Sequence, residues 1–362
     1  MTRILILGGY GNFGRFIAER LTIEEDFELT IAGRSKEKAE ALALRLNASG
    51  YVIDTENNLE ESLQAVNPDI VIHTCGPFQG QSYRVAEAVI ASGAHYIDLA
   101  DGAAFVAGFA VLNDLARRAN VIAISGASSV PAFSSAVIEH YRAQFSELTA
   151  IDYSITTAQK ATPGLATAAA VFSYVGKSFE TINRGEAQPI YGWQGLRAKK
   201  YRGLGWRLLG NCDIPDLALF PNVYSNLQSI RFQAGLENPI IHLGLWALSW
   251  GVRVGLIENL PAAAPMLLRM SHLFDWMGTS NSGFHMHLTG ANKIGATIDR
   301  DFQILAQDGD GSYIPCIPAI LLARKIANGE IHETGAHACV GVLTLEEFFV
   351  EFRHLNIQWF EH

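Results

Sequence analysis

The stretch T-R-I-L-I-L-G-G-Y-G-N-F-G-R-F-I-A-E-R-L at Thr2–Leu21 decides the fold. Its first six residues form an apolar, β-branched run that is typical of a strand buried on both faces. Gly9, Gly11 and Gly14 then follow with G-x-G-x-x-G spacing, and the residues after them have helical periodicity. A second apolar run follows at Glu28–Ala32. Strand, glycine turn, helix and strand in this order predict a dinucleotide-binding unit.

Each glycine of the turn has its own physical role. Gly9 permits the tight turn, Gly11 lets the backbone approach a pyrophosphate, and Gly14 lets the helix pack close to the strand. The helix N-terminus offers free N–H groups and the positive end of its dipole to phosphates. We therefore predict that a cofactor binds here, through Gly8, Gly9, Tyr10, Gly11, Asn12, Phe13 and Gly14. The alternative is a glycine-rich turn that binds no ligand.

The end of the second strand predicts which cofactor is bound. A carboxylate at this position would accept a hydrogen bond from the ribose 2′-hydroxyl of NAD, but here the chain reads Gly33, Arg34, Ser35, Lys36. Arg34 can form a forked pair with a 2′-phosphate, Ser35 can donate to it, and Lys36 adds positive charge. We therefore expect NADP(H) rather than NAD(H). The alternative is that Arg34 and Lys36 belong to a solvated loop and helix start.

The alternation of strands and helices continues to Ser125. Four further strands are predicted, at Tyr51–Asp54, Asp69–Thr74, Tyr96–Leu99 and Val121–Ser125, with helices over residues 58–66, 81–92 and 103–119. Six strands alternating with helices predict an α/β fold, a doubly wound parallel sheet whose ligands bind beyond the carboxyl ends of the strands. We therefore expect the adenine to contact Asp54, and the nicotinamide to lie near the turn formed by Thr74, Cys75, Gly76, Pro77 and Phe78.

The pattern changes after Ser125, where Gly126–Pro131 resembles a hinge. Strands are expected at 151–157, 230–234 and 283–290, a hairpin around Arg300-Asp301, and helices over 132–145, 162–176 and 318–329. This mixture predicts a second, α+β domain with a mixed or antiparallel sheet plus helices. The expected division is 1–128 for the Rossmann domain and 129–314 for a substrate and dimerisation domain, with 315–362 packing back on the first.

Composition and charge limit the possible partners. Of the 362 residues 49% are apolar and 17% charged, which is enough apolar side chain for a sizeable core. The formal net charge of −9 argues against general nucleic-acid binding, which needs a basic face. The four cysteines contain no C-x-x-C pair, and no signal peptide is recognisable. We expect a cytoplasmic homodimer that binds a small-molecule substrate.

Two segments leave alternatives open. Ile240–Ile257 is almost free of charge and approaches the length of a bilayer crossing, although Arg253 and several polar residues interrupt it. A buried helix or dimer interface is the favoured interpretation, and contact with a membrane surface is the alternative.

Arg197–Arg207 is a basic cluster that could receive an anionic substrate or an anionic membrane surface, but a solvated loop is favoured.

Candidate catalytic residues follow from the proton that accompanies hydride transfer. A general acid should titrate near working pH, and His95, Tyr96 and Asp98 lie in or next to the predicted fifth strand. His95 could instead cap a turn, and Asp98 could cap the next helix. His285 and His287 share one face of a strand, but no third ligand has suitable spacing, so no metal site is expected.

With these motifs in hand, the chain resembles a bacterial member of the saccharopine dehydrogenase-like oxidoreductases. The resemblance rests on segments of both domains, G-G-Y-G-N-F-G at 8–14, C-G-P-F at 75–78, G-A-H-Y-I-D-L-A-D-G at 93–102, G-A-S-S-V-P at 126–131, G-L-A-T-A-A-A-V at 164–171, D-I-P-D-L at 213–217 and I-P-C-I-P-A at 314–319. It implies a Rossmann domain, an inserted α+β domain and a nicotinamide cofactor in the cleft between them. Ala127–Ser129 stands where relatives often carry an aspartate, so a role built on that acid does not carry over.

The resemblance also implies a reaction class. Members of the family with an assigned substrate make or break a secondary amine that joins an amino acid or polyamine to a carbonyl carbon. We therefore expect NADP-dependent hydride transfer to or from a small imine, secondary amine or carbonyl compound. The alternative is a nucleotide-binding protein without turnover that associates with a membrane or protein partner through residues 240–257.

Overall fold

The contacts in the computed structural model, which describes residues 1–161 and 164–361, divide the chain into two units. The first contains Met1–Ala136 and Tyr313–Leu343, and the second contains Val137–Ser312 and the segment from Thr344 onwards. The division expected from the sequence, at residues 128 and 314, differs from this observed division most at the end of the chain. Residues 315–362 were expected to pack on the first domain, whereas the last strand, Ile357–Glu361, pairs within the sheet of the second unit.

The described residues form sixteen strands and thirteen α-helices. The strands are β1 (Thr2–Leu7), β2 (Phe27–Gly33), β3 (Ser49–Val52), β4 (Ile70–His73), β5 (His95–Asp98), β6 (Ile122–Ser125), β7 (Glu147–Thr157), β8 (Ser178–Asn183), β9 (Glu186–Tyr191), β10 (Arg197–Tyr201), β11 (Gly205–Asn211), β12 (Ser229–Leu236), β13 (Ser282–Ala291), β14 (Thr297–Ala306), β15 (Gly335–Ala338) and β16 (Ile357–Glu361). The helices are α1 (Asn12–Leu21), α2 (Lys36–Leu46), α3 (Leu59–Val66), α4 (Arg84–Ala91), α5 (Ala103–Gly108), α6 (Asn113–Ala119), α7 (Ser134–Arg142), α8 (Leu165–Tyr174), α9 (Asp216–Val223), α10 (Pro239–Arg253), α11 (Ala264–Ser271), α12 (Ile317–Ala327) and α13 (Leu345–Phe352).

The first unit is built on a parallel sheet with the strand order β15-β6-β5-β4-β1-β2-β3. The strand order reverses between β1 and β4, which is the position where doubly wound sheets bind their ligands. Strand β1 is central, and the side chains of Ile4–Leu7 are buried, as the apolar run predicts. The predicted doubly wound sheet is confirmed. The helix expected over 103–119 is instead α5 and α6, with a 3-10 turn at Phe109–Leu112 between them.

The C-terminal part of the chain completes this first unit. Eight residues of α12 are buried, and the helix packs against α1 and β5. Tyr313, just before α12, stacks on Phe16 of α1 with ring centroids 4.1 Å apart. Strand β15 adds a seventh strand beside β6, which the sequence did not predict. The first unit therefore depends on residues that lie far apart in the chain.

The second unit contains a mixed sheet with the order β10-β11-β12-β7-β13-β14-β16, in which only the β12–β7 pair is parallel among the described strands. The predicted α+β domain with a mixed sheet is confirmed. The predicted hairpin around Arg300-Asp301 is wrong, because β14 continues through both residues. The turn lies earlier, where the Asn292 side chain accepts hydrogen bonds from the N–H groups of Ile294 and Ala296. Helix α8 lies within the predicted 162–176, and residues 162 and 163 fall outside the described residues.

Helix α10 contains the apolar segment that the sequence singled out. Its His242, Leu245 and Ser249 are buried, whereas Ile240 and Trp250 are 55% and 43% exposed. The favoured interpretation as a buried helix is therefore correct for one face only. Within the described parts of the chain, no helix has both the length and the apolar character needed to cross a bilayer.

Candidate nucleotide site

The glycine turn between β1 and α1 is held tightly to β2. The N–H groups of Gly8 and Gly9 both donate to the carbonyl oxygen of Ala32, at 2.9 and 3.0 Å. Helix α1 crosses the turn so closely that a Cβ on Gly14 would lie 2.4 Å from the carbonyl oxygen of Gly8. Only glycine fits at this crossing, which confirms the close helix–strand approach expected from the motif.

The start of α1 is open to an anion. Gly11 caps the helix without a side chain, and the first turn contains no acidic residue. A Cβ on Gly11 would meet the Gly8 carbonyl oxygen at 3.1 Å, and no side chain other than those of its two neighbours in the chain lies within 4 Å of that position. Because the first N–H groups of a helix have no partner within it, they form a cradle that suits a diphosphate. The residues present therefore fit a dinucleotide.

The tip of β2 contacts the turn through Tyr10. A Cβ on Gly33 would lie 2.4 Å from Cε1 of Tyr10, so the tyrosine ring covers this glycine. The hydroxyl oxygen of Tyr10 accepts a hydrogen bond from the N–H of Ser35 at 3.0 Å. Ser35 also caps α2, because its side chain accepts from the N–H of Lys38 at 3.4 Å. The exposed Arg34 therefore lies in a loop that is fixed on both sides.

Three charged or ionisable groups surround this loop. Asp54 accepts hydrogen bonds from the N–H of Glu56 and from the side chain of Asn57, and these bonds lower the pKa of its carboxyl group, with a further contribution from Arg34. Burial raises the pKa of the Cys75 thiol to about 11, and Arg34 opposes this shift. The charge of Arg34 thus acts on Asp54 and Cys75 together. Lys36 forms an exposed ion pair with Glu40 at 3.7 Å, so its charge is partly compensated.

The turn after β4 borders the glycine turn. A Cβ on Gly8 would lie 2.7 Å from Oγ1 of Thr74 and 3.0 Å from Sγ of Cys75. Gln81 braces this turn, because its side-chain amide donates to the carbonyl oxygens of Cys75 and Pro77 at 2.9 and 2.6 Å. The structure therefore brings the predicted residues of both turns together at the carboxyl edge of the sheet, while the contribution of Gln81 was missed.

A buried polar chain runs along the same edge. The Tyr96 hydroxyl lies 3.0 Å from Nδ1 of His73, and it also interacts with the Asp98 carboxyl group. Oδ1 of Asp98 accepts from the N–H groups of Ala100 and Gly126, at 2.9 and 2.8 Å, and from the Ser125 hydroxyl at 3.0 Å. Burial raises the pKa of Asp98 to about 6, although these hydrogen bonds oppose the shift. Burial also lowers the pKa of His73 to about 4, which keeps this imidazole neutral at pH 7.

The three predicted catalytic residues lie at different places. Tyr96 and Asp98 belong to the buried chain, and Asp98 ends β5 at the carboxyl edge. His95 begins β5 at the opposite edge, where its Nδ1 accepts from the N–H of Ile122 at 2.9 Å. Burial lowers the pKa of His95. Catalytic roles for His95, Tyr96 and Asp98 stay predictions.

The second unit contains a separate ionic network on one face of its sheet. Arg197 pairs with both oxygens of Asp152, at 2.7 and 2.6 Å. Nζ of Lys199 lies 2.8 Å from Nε2 of His285, and Asp301 lies 2.7 Å from that same nitrogen. The interpretation of 197–207 as a solvated loop is therefore wrong, because the segment is a β-hairpin whose inward-facing charges are paired.

His287 also reaches this network, with its Nδ1 3.0 Å from Asp301. Burial would raise the pKa of Asp301, but its two histidine partners and Lys199 hold it at about 2. In residues 1–161 and 164–361, no group of three or more histidine, cysteine or acidic side chains is arranged to hold a metal ion.

The site includes two residues that the sequence did not predict. Gln81 acquires its role by donating to Cys75 and Pro77, a few residues earlier in the chain, and Ser125 acquires its role by donating to Asp98 of the neighbouring strand. Of these, Ser125 carried the clearest signal, because it ends a predicted strand at the edge where ligands bind.

Comparisons with known proteins agree with this geometry. Residues 4–124 match the family described as the saccharopine dehydrogenase NADP binding domain. A 4-hydroxy-tetrahydrodipicolinate reductase from Syntrophomonas wolfei is 29% identical over 75 residues, which are 21% of this chain and only 28% of that protein.

Two solved structures share the fold over the whole chain. Apo saccharopine dehydrogenase (L-Glu forming) from Saccharomyces cerevisiae has a TM-score of 0.70 at 12% identity and covers 100% of both chains. Homospermidine synthase from Legionella pneumophila, in complex with NAD, has a TM-score of 0.61 at 12% identity and covers 100% of this chain and 91% of its own. Residues 4–124 are therefore similar to the NADP binding domain of saccharopine dehydrogenases, and the chain as a whole shares its fold with saccharopine dehydrogenase and homospermidine synthase.

Proposed function

We propose that the chain is an NADP-dependent oxidoreductase that acts on a small imine, secondary amine or carbonyl compound. The observation that carries the proposal is Arg34, exposed just beyond β2, with no acid at the strand tip and an open cradle of helix N–H groups nearby. A guanidinium group pairs well with a phosphate, whereas the 2′-hydroxyl of NAD calls for a carboxylate at this position.

The residues of the first unit divide the binding of the cofactor among them. The N–H groups at the start of α1 would hold the diphosphate, and Arg34 and Ser35 would hold the ribose 2′-phosphate. The turn from Thr74 to Phe78 would border the nicotinamide half, which supplies or accepts a hydride when the cofactor is bound. Asp98, which accepts from the Ser125 hydroxyl at this edge and whose pKa is raised to about 6, would be the group that holds a proton there.

The comparisons support the reaction class more than the choice of cofactor. The matching family is described as NADP binding, whereas the solved homospermidine synthase contains NAD. The two full-length structural relatives are named a saccharopine dehydrogenase and a homospermidine synthase, which favours a substrate with a carbon–nitrogen bond. The preference for NADP therefore rests on Arg34 and its surroundings in this chain.

The test is the replacement Arg34→Ala, with NADPH and NADH titrated calorimetrically into the full-length protein. Loss of a charge-assisted, forked pair should weaken NADPH binding about 10- to 100-fold, whereas NADH binding should change less than about twofold. Arg118→Ala, an exposed arginine on α6 of the same unit, is the matched control and should change neither affinity.

Two results would contradict the proposal. If Arg34→Ala weakened both nucleotides equally, the guanidinium would not recognise the 2′-phosphate. If the wild-type protein bound neither nucleotide, the enzyme assignment itself would fail. Turnover is then followed as loss of reduced-nicotinamide absorbance on a panel of imines, ketones and secondary amines.

A further inference from the structure

Tyr10, from the glycine turn, lies against the tip of β2 and makes two contacts there. The Tyr10 ring covers Gly33, where a Cβ would lie 2.4 Å from Cε1 and 2.8 Å from the hydroxyl oxygen. The same oxygen accepts the N–H of Ser35 at 3.0 Å. The phenol therefore lies against the residues on both sides of Arg34, although it comes from the glycine turn after β1.

In these hydrogen bonds the hydroxyl groups of Tyr10 and Ser35 both act as acceptors, so the proton of each hydroxyl group is still available to a ligand. A phenol has one O–H donor and can also accept, so Tyr10 keeps its own proton after accepting from Ser35. Ser35 likewise accepts from the N–H of Lys38 and keeps its hydroxyl proton. Together with the guanidinium of Arg34, these two protons give three donors from residues held together at one loop.

Asp54 interacts electrostatically with Arg34, and each of its two oxygens accepts one hydrogen bond, from the N–H of Glu56 at 3.1 Å and from the side chain of Asn57 at 2.7 Å. The three donors of this loop outnumber the single oxygen that a ribose 2′-hydroxyl offers to them. A 2′-phosphate, which only accepts when fully ionised, suits them better.

We infer that Tyr10 is a specificity-determining residue, whose hydroxyl group donates to the ribose 2′-phosphate and holds the Arg34–Ser35 loop in place to receive it. The inference rests on the proposed function and deepens it, because it assigns part of the NADP preference to a side chain of the glycine turn. Tyr10 thus connects the diphosphate cradle with the 2′-phosphate subsite.

The experiment uses the full-length chain and two probes that contain only the adenosine half of the cofactor. Adenosine 2′,5′-bisphosphate and AMP are titrated calorimetrically into wild type, Tyr10→Phe and Tyr191→Phe. Phenylalanine keeps the ring on Gly33 and removes only the hydroxyl group. We expect Tyr10→Phe to weaken the bisphosphate about 10-fold or more, and AMP less than about twofold. Tyr191→Phe, whose ring lies 3.7 Å from Arg253 in the second unit, should change neither affinity.

Equal weakening of both probes would show that the hydroxyl group supports the site as a whole and not the 2′-phosphate subsite, and this result would overturn the inference. Unchanged affinity for both probes would overturn it too. A partly unfolded variant lowers the number of sites for both probes and leaves the ratio of the two affinities intact, so the result stays interpretable.

Failure of this inference is distinguishable from failure of the proposed function. A wild-type protein that binds neither probe contradicts the proposed function. A wild-type protein that prefers the bisphosphate, and loses this preference in Arg34→Ala but not in Tyr10→Phe, contradicts only the role of Tyr10.

Discussion

At Gly33 the fold leaves no room for a side chain, because the Tyr10 ring occupies the position of a Cβ. We predict that Gly33→Ala lowers the free energy of unfolding by about 1–3 kcal/mol through this overlap. In the Tyr10→Ala background the overlap is gone, so Gly33→Ala should lower the free energy of unfolding much less. Chemical denaturation of the four proteins measures this coupling. Equal costs in both backgrounds would show that something other than Tyr10 excludes the methyl group.

Asp98 predicts a pH dependence of stability. Its pKa is raised from 3.8 to about 6 in the folded protein, so between these values the folded chain holds a proton that the unfolded chain releases. The contribution of Asp98 to stability therefore falls as pH rises from about 4 to about 6, and it is constant above that. A shift of about two pKa units corresponds to about 3 kcal/mol.

The replacement Asp98→Asn isolates this effect. Asparagine resembles the protonated acid and keeps an acceptor for the N–H groups of Gly126 and Ala100. As pH rises from 4 to 7, the free energy of unfolding of the variant should therefore increase by about 2–3 kcal/mol relative to that of wild type. Urea denaturation at several pH values measures the difference. Asp114→Asn, at an exposed site on α6, is the control. A difference between Asp98→Asn and wild type that did not change with pH would contradict a raised pKa.

Individual residues could be predicted from the sequence where their role is local. The glycine spacing and Arg34 depend on one strand, one turn and the start of one helix, so a short stretch of chain contains the whole signal. The surroundings of Asp98 do not, because Ser125 and Gly126 reach it from the next strand of the sheet. Its raised pKa follows from burial by distant residues, which no local pattern records.

At the scale of elements, side-chain contacts add to the pairing of β11 with β12 in holding the hairpin β10–β11 to the sheet. The inward-facing side chains of β10 reach strands β7 and β13, through Arg197 to Asp152, Lys199 to His285 and Tyr201 to Ser154. Because the bond between Arg197 and Asp152 is bidentate and partly buried, it should contribute more than an ordinary surface pair.

Loss of the ion pair should lower the free energy of local opening of the hairpin by about 1–2 kcal/mol. We therefore predict that Arg197→Met increases the rate of hydrogen exchange of the β10 and β11 amides about 5- to 30-fold. Lys200→Met, three residues further on and on the exposed side of the same strand, should leave exchange unchanged. Hydrogen exchange followed by mass spectrometry compares the two variants. Equal protection in both would mean that the ion pair does not hold the hairpin.

Elements were predictable where apolar periodicity was strong. The strands β1, β2 and β4 are rich in large apolar residues, whereas β15 reads only G-A-H-A and becomes a strand because it pairs with β6. In β14, Arg300-Asp301 resembled a turn, but Asp301 points to the ionic network and is satisfied there. Both errors arise because non-local partners outweigh local propensity.

At the scale of the whole molecule, the first unit is assembled from two separate stretches, and this predicts how fragments behave. Residues 1–136 alone lack α12 and β15, and so lack the cover of α1 and the partner of β6. We predict that this fragment binds hydrophobic dyes and does not unfold cooperatively.

A matched fusion tests the same point. Residues 1–136 joined to 313–343 by a flexible linker of about 20 residues should unfold cooperatively and bind NADPH. Calorimetry and dye fluorescence compare the fusion with the fragment. A fragment 1–136 that folded as well as the fusion would show that the C-terminal stretch is dispensable. Assembly as a homodimer and a cytoplasmic location stay predictions.

The return of the chain to its first sheet at Gly335–Ala338 also bears on how such proteins diverge. Insertions and deletions between residues 137 and 312 leave the pairing of Gly335 with Ile122 in register, because that pairing depends only on the two flanking stretches. The middle of the chain can therefore change in length and sequence while the sheet of the first unit keeps its strand order.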